Sequence, residues 1–352
     1  MITPEEHRSF LEQGYLHVPA VLDPQLLRRI QSEFEEIWEA SGVTCSYQNA
    51  GEEGNDPLRL IKRLARHTYV TDMAPELMRR VVHPDDIVAA KAEGKHCRYM
   101  TGNGIPLAGG QVNTQEELRF IRVFYQLGVR MMHLTYNRRN PIGDGCGEPD
   151  DAGLSEFGRE TIREMNRVGV LIDIAHSGRK TGLEATASSE RPIVISHSCA
   201  ANLNEHIRAK DDETIRAVIS TGGTMGITNV PFFLGGLGNI STMLDHIDYV
   251  AKTFGADHVT IGTDRAYVSY RAAEEEAKIS KRRVIRERWE SLWPEGSRAH
   301  SPEWRQDHQA QSLAWTNWPM ITVGLVQRGY SDDDIRKIIG GNILRVSRDV
   351  LN

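Results

Sequence analysis

The chain is poor in cysteine. Among 352 residues only Cys45, Cys97, Cys146 and Cys199 are cysteine, and no two form a Cys-x-x-Cys pair. That pattern suits a reducing compartment better than a disulfide framework, so a cytoplasmic protein is expected. No apolar run reaches the roughly 18 residues of a membrane span. Basic residues do not exceed acidic ones (42 against 48, net charge −6), so nucleic acid is not an expected partner. The opening residues, Met1-Ile2-Thr3-Pro4-Glu5-Glu6-His7, are polar and acidic, unlike a signal peptide. No Gly-x-Gly-x-x-Gly follows the first expected strand, which counts against a doubly wound dinucleotide fold. Aromatic residues are sparse at 7%, yet five of the six tryptophans (Trp289, Trp293, Trp304, Trp315 and Trp318) crowd into one segment.

What the chain does have is a rhythm of short apolar runs and amphipathic segments. Leu171-Ile172-Asp173-Ile174-Ala175-His176 and Pro192-Ile193-Val194-Ile195-Ser196-His197 are apolar runs that each end in histidine. Buried strands of a parallel sheet read this way. Strands are expected near residues 15, 43, 99, 130, 171, 193, 224 and 259, with helical patterns between them. Helical patterns are expected to continue from residue 57 to about Lys95. Asp23-Pro24, His83-Pro84-Asp85-Asp86 and Ser331 read as helix starts, Thr114 and Glu117 as a capping box, and Gly169 and Gly255 as helix stops. About eight βα units predict a TIM-like (β/α)8 barrel. One such domain spanning residues 1–352 is expected, with 1–40 as a helical N-terminal extension. The Trp-rich stretch 265–315 is expected as an insertion after the last strand, serving as a lid or a subunit contact.

In such a barrel the chemistry sits at the C-terminal strand ends. Those ends offer Asn103, Tyr136 and Asn137, His176, His197, Asn229 and Asp264. Two imidazoles and a carboxylate suit zinc with an open position, or non-haem iron(II). Asp264 closes the run Val259-Thr260-Ile261-Gly262-Thr263 and is expected as a ligand or general base. Arg208, eleven residues past His197, is placed to bind a substrate carboxylate bidentately. Asn103 and Asn137 are expected on the substrate side. His246, beside apolar residues on a helix, reads as structural.

Taken together, several stretches resemble the membrane (renal) dipeptidase family of zinc metallopeptidases. They are Tyr125-Gln126-Leu127-Gly128-Val129-Arg130, Gly153-Leu154-Ser155-Glu156-Phe157-Gly158-Arg159 and Glu164 through His176. Ser196-His197-Ser198, Asp245-His246-Ile247-Asp248, Ile261-Gly262-Thr263-Asp264 and Gly341-Asn342-Ile343-Leu344-Arg345-Val346 continue the match. The resemblance implies a TIM-like barrel, a homodimer, and two zinc ions bridged by a glutamate that cleave dipeptides. By position, His176 and His197 match the histidines of the second zinc, Arg208 the carboxylate-binding arginine, and Asp264 the active-site aspartate. Tyr136 stands where the family has a substrate-side histidine, so a catalytic role is expected there. The family's first zinc needs a His-x-Asp near the first strand, where His17-Val18-Pro19 lacks the carboxylate. The bridging glutamate belongs near Met100-Thr101-Gly102-Asn103-Gly104, which holds no acid. The expectation is therefore one metal ion, zinc or possible iron, at His176 and His197. It would serve a hydrolase of a small, dipeptide-like or amide substrate. A lyase, an iron enzyme or a metal-free binding protein on the same scaffold is the alternative. Gly14 to Asp23 also resembles the start of phytanoyl-CoA dioxygenase-like proteins, with nothing downstream to match their double-stranded β-helix.

Overall fold

A computed structural model of the chain describes residues 43–49, 57–107, 113–265, 292–299 and 301–351. The chain divides into two units, Met1–Ala40 and Ser41–Asn352, and all described residues belong to the second. The expected N-terminal helices, the strand near residue 15, the dioxygenase-like stretch and the charged stretch 274–283 lie outside the described residues.

The second unit is built on one parallel sheet of eight strands. These are β1 (Cys45–Asn49), β2 (Met78–Arg80), β3 (His96–Gly102), β4 (Val129–His133), β5 (Leu171–Asp173), β6 (Ile193–Ser198), β7 (Thr224–Ile227) and β8 (Val259–Ile261). Their order is β1-β3-β4-β5-β6-β7-β8, every pairing parallel, with β2 on β3. Helices alternate with the later strands: α1 (Pro57–Met73), α2 (Pro84–Ala92), α3 (Thr114–Gln126), α4 (Glu156–Val168), α5 (Arg179–Ser188), α6 (Asp212–Ser220), α7 (Pro231–Leu234) and α8 (Ile240–Phe254). This is the α/β architecture that the alternation predicts.

Local chemistry explains the elements. β4 and β5 are buried at every position, so no polar alternation is needed. α4 shows the helical logic plainly. The Ser155 side chain accepts from Gly158 N at its start, and Gly169 closes it at φ 86°, a left-handed conformation that glycine adopts without strain. Between them Ile162, Met165 and Val168 are buried in the hydrophobic core. Burying side chains of this size stabilises by about 1.5–3 kcal/mol each.

Three expectations need correction. The segment leading to Lys95 is not helical throughout, since Met78–Arg80 pairs with the start of β3. The cap of α3 is Asn113, whose side chain accepts from Gln115 N, rather than Thr114. The strands are also shorter than the apolar runs. β5 ends at Asp173, so His176 sits in the loop beyond it while His197 lies within β6.

β6 is held close by its neighbours. A Cβ on Gly226 would lie 2.0 Å from the Ser196 carbonyl oxygen, and one on Gly262 only 1.7 Å from the same atom. Only glycine permits that approach. The two glycines clamp the residue that precedes His197. Among the described residues, no helix is long and apolar enough to cross a membrane.

Candidate metal centre

The strand ends converge on three histidines. His133 ends β4, His176 follows β5 and His197 lies near the end of β6; the rings of the first two are buried. His176 Nε2 and His197 Nε2 lie 3.0 Å apart. Their other ring nitrogens are taken: His176 Nδ1 lies 2.7 Å from Asn137 Oδ1, and His197 Nδ1 2.7 Å from Ser196 Oγ. The amide oxygen of Asn137 can only accept, so His176 Nδ1 carries the hydrogen. Ser196 Oγ in turn bonds Asp173 Oδ2, so its oxygen is free to accept from His197 Nδ1. Both Nε2 atoms are thereby left as lone pairs facing each other. Such a pair repels until a shared cation or proton sits between it. Partners that fix the tautomer in this way are characteristic of metal-binding histidines.

Burial lowers the pKa of both rings, and the Arg208 guanidinium lowers it further. His176 falls well below its ordinary value. His197 is pushed down to about 4, with Asp264 opposing the shift. Neutral imidazoles are the form that binds a cation. Two neutral nitrogen donors facing each other, one buried and one partly exposed, fit a divalent ion of borderline softness.

Asp173 is the polar hub behind this pair. Its Oδ1 accepts from Ala175 N at 2.9 Å and Ser196 N at 3.0 Å, and its Oδ2 accepts from Ser196 Oγ. His133 Nε2 lies 2.7 Å from Oδ2. Burial alone would raise the carboxyl pKa, but the charge and proximity of His133 hold it well below the usual range. The same pairing outweighs burial at His133 and raises its pKa. Neither His133 nor Asp173 stood out in the sequence.

The remaining expected residues fall around the histidines with distinct environments. Asp264 is exposed, with Oδ1 3.7 Å from His197 Nε2 and a backbone φ of 54°. A non-glycine residue held there is strained, and strain of this kind gathers at functional sites. Tyr136 stacks on His176 with ring centroids 4.0 Å apart. Asn137 is fully buried and serves to orient His176, with Nδ2 lacking a hydrogen-bond partner. Asn103 is half-buried in the loop after β3, and among the described residues no hydrogen bond of this centre involves it. Asn229 is buried after β7.

Arg208 is 1% exposed, donates to the His197 carbonyl at 3.3 Å and lies over the Phe233 ring. Its Nε is buried with no hydrogen-bond partner, and no carboxylate pairs with it among the described residues. A buried, unmatched guanidinium has the charge and geometry to receive a carboxylate. Lys210, which no sequence pattern singles out, is also buried and donates to the Ser177 carbonyl at 2.8 Å. Burial pushes its pKa down to about 8.

The other candidates have structural roles. His246 accepts from Ala200 N and donates to the Leu234 carbonyl, as its helical setting suggested. Cys199 meets His206 Nε2 at 3.3 Å. His83-Pro84-Asp85 has His-x-Asp spacing, but His83 caps α2 and is half-exposed. The described part of the Trp-rich segment packs beside the centre: the Trp293 carbonyl accepts from Arg138, and Trp293 and Trp304 meet Phe233 and Phe232.

Two half-buried histidines outside the centre set an acid limit. Burial pushes His96 down to about 4 and His206 to about 3, with Arg98 and Arg208 adding to the respective shifts. Above pH 6.5 each is neutral whether folded or unfolded and contributes nothing. Below it the unfolded chain takes up protons that the folded chain refuses, so stability falls from pH 6.5 down to the folded values. At pH 5 the loss is at most about 2 kcal/mol per histidine, less after allowance for partial exposure. Urea midpoints at pH 7 and pH 5 should therefore converge in His96→Gln and His206→Gln relative to the parent. An unchanged difference would discard this account.

Parallel strands, alternating helices and imidazoles at the strand ends define an α/β protein of the TIM-like class. The family model of membrane dipeptidases (peptidase family M19) matches residues 40–279, and the chain belongs to that family. It is 25% identical to dipeptidase tcpJ of Claviceps purpurea over 80% of this chain and 57% of that protein. It is 25% identical to dipeptidase 3 of Rattus norvegicus over 78% of this chain and 51% of that protein. The chain thus spans little more than half the length of these relatives. Among solved structures, an amidohydrolase from Pseudomonas aeruginosa superposes with a TM-score of 0.71 at 26% identity, covering 91% of this chain and 93% of that one. Dipeptidase AC, a family M19 metallopeptidase, shares the fold, with a TM-score of 0.69 at 17% identity over 93% and 95% of the two chains.

Proposed function

We propose that this chain is a metal-dependent hydrolase that cleaves a small dipeptide-like or amide substrate bearing a free carboxylate. The carrying observation is the pair of neutral Nε2 atoms of His176 and His197, facing at 3.0 Å with both Nδ1 atoms committed. His176 and His197 would hold one zinc ion; iron(II) is the other cation that nitrogen and carboxylate donors suit. A bound cation supplies Lewis acidity and brings the pKa of a water toward 7. The protein's own residues do the rest. Arg208 anchors the substrate carboxylate through its unmatched guanidinium. Asp264, exposed to the site and close to His197, accepts the proton of the attacking water. Tyr136 and Asn137 keep His176 in orientation, and Asn103 lines the substrate side.

The reading extends to a closed (β/α)8 barrel, a Trp-rich lid over 265–315 and a homodimer in the cytoplasm. The four unpaired thiols support the last of these locations. The test is elemental analysis after zinc supplementation, run beside a dipeptide hydrolysis assay. About one zinc per chain, lost in His176→Ala together with hydrolysis, is the expected result. Protein that stays largely metal-free would overturn the proposal.

A further inference from the structure

We infer that the centre is a three-histidine site, in which His133 is the third ligand of a single cation. The inference rests on the metal-centre reading above and goes beyond it. His133 is buried at the end of β4 and meets both other rings edge-on, with centroids 5.2 Å from His176 and 5.4 Å from His197. One ring nitrogen from each of the three lies within 4.8 Å of the others.

The wiring of the rings is the stronger observation. His133 Nδ1 donates to the Gly102 carbonyl at 3.0 Å, as His176 Nδ1 donates to Asn137 and His197 Nδ1 to Ser196. A nitrogen that donates to a carbonyl has no lone pair to give. Each ring is therefore left with Nε2 as its donor atom. His133 Nε2 is buried and lies 2.7 Å from Asp173 Oδ2, and the proton between them is the one a cation would replace. Its two counterparts face each other. Three imidazoles at or just beyond the ends of adjacent strands, each pinned at Nδ1 and left with Nε2 to give, form one donor set. Three nitrogen donors and no thiolate suit zinc, with an open position left for water or substrate. Asp173 lies against the set and offsets the positive charge it would hold.

The alternative place for His133 is as a counter-ion to Asp173 outside the metal. X-ray absorption at the zinc edge of the zinc-loaded parent protein separates the two by counting imidazoles, with no substitution required. Three are expected; two would overturn the inference and leave the proposed function standing. Cobalt(II) titration of the parent and His133→Ala, followed by visible absorption, provides the second measurement. The variant should bind at least about 100-fold more weakly, beyond the effect of losing a ligand's hydrogen-bond partner, and with an altered spectrum. Equal affinity and spectrum in a variant whose circular dichroism matches the parent would also overturn it. A parent protein that takes up neither metal overturns this inference and the proposed function together.

Discussion

Replacing Asp173 with alanine is expected to cost about 3–5 kcal/mol of folding stability, the range for breaking a buried ion pair from one side. Asp173 is fully buried, and it answers Ala175 N, Ser196 N and Ser196 Oγ while facing His133 at 2.7 Å. Alanine strands all four groups. Asp173→Asn should cost much less, because its oxygen still accepts from the two backbone amides. Urea unfolding at pH 7 of both variants would measure the difference. A cost below about 1 kcal/mol for the alanine variant would place the hub's importance elsewhere. The folded fraction should also bind zinc about 10–100-fold more weakly, since Ser196 and His197 lose their common support.

The second large effect is on turnover. Asp264→Asn should lower kcat by about 10²–10⁴, the usual contribution of a general base. Asparagine tolerates the left-handed backbone at φ 54°, so the change isolates the charge. Zinc content distinguishes two roles for this residue. Unchanged metal with lost turnover identifies a base, whereas metal lost in step with turnover identifies a ligand. Turnover close to the parent's would remove Asp264 from the chemistry.

The residues most legible in the sequence were those at the end of long apolar runs. β5 and β7 are buried throughout and β6 and β8 begin buried, so the apolar runs leading to His176, His197 and Asp264 show in the sequence. β2 was not legible because Met78-Arg79-Arg80 has no apolar run; it exists through pairing with β3. His133 was hidden by strand length. The apolar pattern runs on through Leu134, which moved the apparent strand end to Tyr136, while the pairing stops at His133. Asp173 was hidden inside its own apolar run. Its importance comes from Ser196 and His133, which reach it across neighbouring strands, and no local pattern encodes that.

The backbone of Asp264 carries one more consequence. Its left-handed conformation suits glycine better than aspartate by about 1 kcal/mol, part of which is lost again to the freedom of the unfolded glycine. Asp264→Gly should therefore melt at a slightly higher temperature while losing about as much turnover as Asp264→Asn. A library sorted for heat resistance alone would enrich that variant, and one sorted for turnover would reject it. With Asp264 as the base, ruggedness and turnover pull in opposite directions at this position.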